Sequence, residues 1–357
     1  MKPIVKLLAG ALLVAGCAHG PKTAEVVWPE PPDKPRIKFV THYRSERDMR
    51  GSGWDAFLRA IAGTPSSNAF VHPMSIAVSA DGERIYVADS FASNVYALDT
   101  RANTFKRLLP DGDLREAFGV ALDSAENVYV SDPKNKRVYV YGRDGKKLRA
   151  MVKDAVRPTA LAVDRARQLL YVVDSATRDS QHHCVLVYSL AGDLLRTIGT
   201  RGDRPSEFNF PTYVALDAAG NVFVADTLNF RIQVFDPDGG LLRIFGEQGD
   251  VPGTFGRIKG IAFDGLGNLY VIDAEHAGVQ VFNPQFQLLM VFAGLQPKIE
   301  FLELPAAIAI DPRTNRIYIG DSGAYPRVNV YELVNTSRED TVVPSPTPTG
   351  ASPAGRG

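Results

Sequence analysis

Cysteine is almost absent from this chain: Cys17 and Cys184 are the only two in 357 residues. A disulfide framework is thereby excluded, and a fold of this length must stand on packing. Net charge is absent too, because Lys plus Arg and Asp plus Glu both count 40. There is no overall basic field to gather phosphates as in typical nucleic-acid binders, which argues against DNA or RNA as the main partner. The N-terminal apolar run from Leu7 to Ala15 is too short to cross a bilayer as a helix. What the chain does hold is 31 Gly, 24 Pro and 45% hydrophobic residues, a composition suited to a turn-rich fold with a substantial core.

One phrase returns six times: a short stretch with Ala in its middle, a turn, then an aromatic followed three residues later by Asp. The alanines are Ala77, Ala121, Ala162, Ala215, Ala262 and Ala309; the aromatics are Tyr86, Tyr129, Tyr171, Phe223, Tyr270 and Tyr318. The acids are Asp89, Asp132, Asp174, Asp226, Asp273 and Asp321, at successive spacings of 43, 42, 52, 47 and 48. That period is too short for separate domains and suits one four-stranded blade of a propeller. In the fourth copy, Pro211 opens the inner strand, Gly220-Asn221 turns it, Val222 to Asp226 returns, Arg231 to Asp236 goes out, and Leu241 to Phe245 closes the blade. Ala belongs on the inner strand because strands crowd near the axis, and the aromatic fills the widening wedge.

The sixth copy lacks an outer strand after Val328 to Leu333. The strand-like stretch Arg36 to Tyr43 is expected to supply it and close the ring, removing an exposed edge. The expected fold is therefore all-β, a six-bladed propeller over residues 36–334 with one short helix before the first blade. Residues 335–357, rich in Pro, Ser, Thr and Gly, read as a disordered tail.

Lys2 and Lys6 followed by the apolar run have the form of an export signal over residues 1–16. Val14-Ala15-Gly16-Cys17 resembles a bacterial lipobox, which implies acylation of Cys17 and cleavage before it. That covalent lipid is the only cofactor expected. With Cys17 lipidated, Cys184 is the only thiol left. By resemblance to Gram-negative lipoproteins, Ala18 after the lipidated Cys implies delivery to the outer membrane, with the domain facing the periplasm and membrane contact through lipid alone. Residues 17–35 carry five prolines and read as an extended spacer at ~3.1 Å per residue where it is polyproline-like.

The copies resemble NHL repeats, with Ile198-Gly199-Thr200-Arg201-Gly202, Phe208 and Pro211 matching the linker between blades and Asp226 with Arg231 matching the core. Asp132 and Arg137 repeat that acid-base spacing. The six Asp are expected to be structural, paired with Arg or accepting backbone N–H bonds. The lipobox and spacer further resemble a group of uncharacterised bacterial NHL lipoproteins.

Two propeller enzymes supply a competing class. The peptidylglycine amidating lyase binds zinc through His at the positions occupied here by Met74, Phe118, Thr159, Thr212, Lys259 and Ala306, none a good zinc ligand. Lactonases use a carboxylate and Asn cluster around calcium, and only Glu116 offers such a group at the inner-strand mouths. His72, His183 and His276 lie in connections expected at one end of the ring. They are either a three-His metal site or ordinary exposed and capping histidines, with Asp179, His182 and Cys184 nearby.

The candidate binding face is the ring ahead of the inner strands, formed by His72, Glu116, Arg157, Phe210, Arg257 and Leu304. Beside it, Ser52 is positioned to cap a helix whose Trp54, Phe57, Leu58 and Ile61 form one apolar stripe, packed on the propeller or offered as a docking patch. The expected function is that of a monomeric, non-catalytic binding or assembly module in the cell envelope, with a protein partner. The alternatives are a propeller lyase or lactonase, and a surface adhesin or glycan binder.

Overall fold

The computed structural model describes residues 25–49, 68–152, 155–177, 180–294, 298, 300–311 and 313–334. Six antiparallel sheets follow one another along the chain, each a blade whose first strand lies innermost. The inner strands are Pro73–Val78, Val120–Leu122, Pro158–Asp164, Pro211–Leu216, Ile258–Phe263 and Pro305–Asp311. Each neighbours the next, and the last returns to the first, so the ring closes. Among the described residues the helical segments are short, Glu46–Met49 and a 3-10 turn at Thr227–Asn229, and no helix is long and apolar enough to cross a membrane.

The register explains the repeat. In every blade the Ala sits directly opposite its aromatic: Ala77 pairs with Tyr86, Ala121 with Tyr129, Ala162 with Tyr171, Ala215 with Phe223, Ala262 with Tyr270 and Ala309 with Tyr318. Cross-strand partners share one face, so a small residue must yield the space that the buried ring fills. The apolar core divides into six clusters, one in each seam between adjacent blades. Blades buried on both faces leave no wet side, in keeping with the apolar content of their middle strands.

Ring closure follows the expectation. Ile37–Tyr43 pairs antiparallel with Arg327–Leu333, Ile37 opposite Leu333 and Tyr43 opposite Val328. The sheet then continues beyond it. Val27–Trp28 adds a fifth strand on Ile37–Tyr43, so this part of the stretch read as spacer belongs to the sixth blade. The reason is Trp28, whose buried indole packs against Phe292, Phe301 and Tyr331 at centroid distances of 6.0, 5.5 and 5.7 Å. Aromatic packing of that extent outweighs the extended preference of a Pro-rich segment.

Linker glycines match the blade-to-blade joint. Gly199 (φ +77°) and Gly246 (φ +99°) are left-handed, and a Cβ on either would collide with the rings of Phe208 and Phe255. The helix expected around Trp54 and Phe57, and Cys17 with its signal, lie outside the described residues.

Replacing Trp28 by Ala is expected to cost roughly 3 kcal/mol by loss of buried ring area. A urea titration checks this, and an unchanged midpoint would return residues 27–28 to the spacer.

Candidate functional site

The six repeat carboxylates are fully buried and moor the loops that enter the inner strands. Asp89 accepts the backbone N–H of Val71 and His72, Asp174 those of Val156 and Arg157, Asp273 those of Gly256 and Arg257, and Asp321 those of Glu303 and Leu304. Asp132 takes Arg115 and Asp226 takes Asn209 in the same way. The carboxylates thus hold the candidate ring by its own backbone. Arg231 bonds Asp226 at 2.8 Å, and Arg327 bonds Asp321 at 2.8 Å. At Asp132 the side-chain donor is instead Asn135 at 2.7 Å, while Arg137 is exposed.

These loops surround a cavity of about 480 Å³ at one end of the ring. It is lined by Met74, Phe118, Thr159, Thr212, Lys259 and Ala306, one from the start of each inner strand. Arg157, Phe210 and Arg257 line it as well, whereas His72, Glu116 and Leu304 are not among its walls. A second cavity, about 430 Å³, opens at the opposite end, where Arg167 is paired with Asp164 at 2.9 Å. Tyr213 lines both cavities. Its hydroxyl donates to the Ile308 carbonyl on blade 6 at 3.4 Å, and burial pushes the phenol up to about 12. The channel is therefore floored by a neutral ring that crosses from the fourth blade.

The histidines are not brought into one site. Among the described residues no group of three or more His, Cys, Asp or Glu could hold a metal. His72 Nδ1 bonds the Ser90 hydroxyl at 2.9 Å and its ring stacks on Phe91. His183 was expected in a solvated loop but is fully buried at the start of a strand. Its Nδ1 accepts the Phe210 N–H at 3.2 Å, so Nε2 carries the proton and donates to the Ala176 carbonyl at 3.2 Å. Both nitrogens are used, and burial lowers its pKa, keeping the ring neutral. His276 Nδ1 bonds Asp273 at 2.8 Å. Burial pushes the Cys184 thiol up to about 12, which removes it as a thiolate ligand. Asp179 lies outside the described residues, as do Trp54 and Phe57.

Lys259 is the residue that sequence reasoning passed over. It was weighed only as a zinc ligand, yet here it is a partly buried cation facing two others. Burial first, then the charges of Arg257 and Arg157, bring it from 10.5 down to about 8. Among the described residues no Asp or Glu lines the cavity. The arrangement can attract and orient an anion, while the wall hydroxyls of Thr159, Thr212 and Thr227 are bonded to one another or to the Val173 and Ile258 carbonyls. The only sequence signal was a Lys at a position that turns toward the axis in every blade.

Because its folded pKa lies below the unfolded one, Lys259 costs stability wherever it is forced to be charged, fully below pH about 8 and not above 10.5. Arg157, Arg257 and His72 are the ionisable groups around it. Lys259→Met is expected to raise stability at pH 7 by roughly 1–3 kcal/mol, the gain vanishing by pH 10.5. Urea midpoints across that range check the sign.

Comparison with known proteins agrees with the architecture. Residues 64–177 match the SMP-30/Gluconolactonase/LRE-like region, and residues 208–235 match the NHL repeat. No curated protein matches the sequence. A catalytically inactive virginiamycin B lyase from Staphylococcus aureus, solved with quinupristin, is similar in structure with a TM-score of 0.55 at 14% identity, over 75% of this chain and 83% of that one. A nidogen/laminin complex chain has a TM-score of 0.54 at 18% identity, over 64% and 84%. A streptogramin B lyase has 0.54 at 13%, over 75% and 85%. At such identities the likeness is one of fold. The chain is a six-bladed β-propeller carrying an NHL repeat and an SMP-30/gluconolactonase/LRE-like region.

Proposed function

We propose that this chain is a non-catalytic binding module that works through the end of the propeller holding the cationic cavity, with a protein partner in the cell envelope. One observation carries the reading. Among the described residues that expose large apolar side chains, Val71, Phe91, Leu228, Val251, Leu304 and Tyr325 all sit on loops at that end, and only Leu266 sits on a loop at the other. Apolar groups rimming a concave centre are the form of a recognition surface.

The enzyme reading has less behind it. A lyase or lactonase acting in the channel needs imidazole or carboxylate ligands there, and the walls offer Thr, Lys, Met, Phe and Ala. Fold likeness to lyases at 14% identity does not transfer their chemistry. An adhesin or glycan binder would use the same face, and protease access to intact cells separates that reading from a periplasmic one.

A photocrosslinking residue at Phe91, Leu228 or Tyr325 is expected to yield a discrete adduct in intact envelopes. The same residue at Leu148, on an outer strand, is expected to yield none. Equal labelling at both places overturns the reading.

Lipid anchoring at Cys17 to the periplasmic face of the outer membrane belongs to the same proposal, resting on the lipobox and on Ala18. Cys17→Ala is expected to abolish incorporation of a labelled fatty acid and release the protein from membranes. Membrane retention without label would defeat it.

A further inference from the structure

We propose that the cavity at the apolar-rimmed end is a receptor for a carboxylate or phosphate group carried on a compact apolar body. This deepens the binding reading above and rests on it. Three cations from two blades, Arg157, Lys259 and Arg257, line the cavity, and no acidic side chain does. Lys259 is a partly buried ammonium whose charged surroundings are Arg257 and Arg157, and among the described residues no hydrogen bond or ion pair engages its Nζ. Arg157 has one bond to the Ser175 carbonyl at 3.3 Å and lies over the Phe118 ring at 5.7 Å, which leaves further N–H donors available. Like charges gathered in a recess repel one another, and an anion entering it relieves that repulsion.

The opposite cavity provides an internal contrast. There Arg167 is paired with Asp164 and bonded to the Ala219 carbonyl, while Arg165 bonds the Leu122 carbonyl at 3.2 Å. The arginines lining that cavity are bonded into the fold, whereas among those lining this one only the Arg157 guanidinium makes a bond, to the Ser175 carbonyl.

The rest of the wall defines the body of the ligand. Met74, Phe118, Phe210 and Leu228 supply apolar surface beside the cations. Tyr213 lines this cavity and the opposite one, and its hydroxyl reaches the Ile308 carbonyl of the sixth blade. What fits is a terminus or a small molecule, its anionic group inward among the cations and its apolar part against the rings.

The chemistry is shared by a free organic anion and by the C-terminal carboxylate of a partner polypeptide, and the test distinguishes them. Calorimetric titration uses N-acetylphenylalanine, its uncharged amide, and phenyl phosphate. The two anions are expected to bind and the amide to bind at least about tenfold more weakly, as loss of a charge-assisted contact requires. Lys259→Met and Arg257→Met are each expected to weaken the anions roughly tenfold while leaving the amide unchanged. Lys259→Met is expected to fold at least as well as the natural chain, and Lys259→Gln provides a second variant of the same sign.

A phenylalanine-ended hexapeptide with a free carboxylate that binds about tenfold tighter than N-acetylphenylalanine assigns the site to a protein terminus. Equal or weaker binding assigns it to a small molecule. Equal affinity for anion and amide, no saturable binding of either anion, or affinities that the two substitutions leave unchanged overturn the proposal. If the probes fail while Phe91 and Leu228 still crosslink, the anion receptor alone falls; if the crosslinks fail too, the binding module falls with it.

Discussion

Six carboxylates with no solvent exposure would be strongly destabilising if their oxygens lacked donors. Each is stabilised by N–H groups of the loop that descends into its own inner strand, and the rest of the molecule follows from that exchange. Without the carboxylate, the loop's orphan N–H groups would be buried without partners; without the loop, the charge would be. The pairing makes the loops at one end rigid while leaving their side chains free to vary. Arg157 and Arg257 are held by their backbones, with a single guanidinium bond from Arg157 to the Ser175 carbonyl, so neither charge is neutralised by an acid among the described residues. A scaffold interaction that repeats six times thus produces a site that does not repeat.

The second constraint is closure. Six seams bury the apolar faces, and the sixth exists only because Ile37–Tyr43 completes the blade begun by Pro305–Asp311. Trp28 seals the outer corner against Phe292, Phe301 and Tyr331, joining the two ends of the described chain in one cluster. An open edge would expose unpaired backbone to pairing with other chains. With closure achieved, the centre becomes a narrow shaft that Tyr213 divides into two recesses of different charge character. One has its cations neutralised by neighbours; the other concentrates positive charge without acid in its walls. A chain with no net charge overall therefore carries a local positive field at one end of the ring.

Much of this was legible in the order of residues. Ala, aromatic and Asp recur at fixed offsets because each occupies a register position that every blade must fill, and a period-two strand makes register visible. The missing outer strand of the last copy and the unpaired stretch before the first were legible for the same reason. Trp28 was not, since a two-residue strand flanked by prolines has no period to detect. The burial of His183 was not, because the longer spacing of 52 residues after Asp174 hides which residue resumes the strand.

The sequence alone determined the number of blades, the structural role of the buried Asp residues and the way the ring closes, all consequences of patterns that repeat along the chain. Tertiary structure alone decided that Lys259 meets Arg157 and Arg257, and that Tyr213 reaches Ile308 across a blade. The meetings of Lys259 with Arg157 and of Tyr213 with Ile308 occur between blades tens of residues apart, around a shared axis. A repeat specifies what each strand presents to that axis; only closure brings the different presentations within reach of one another, and charge and shape are properties of that convergence.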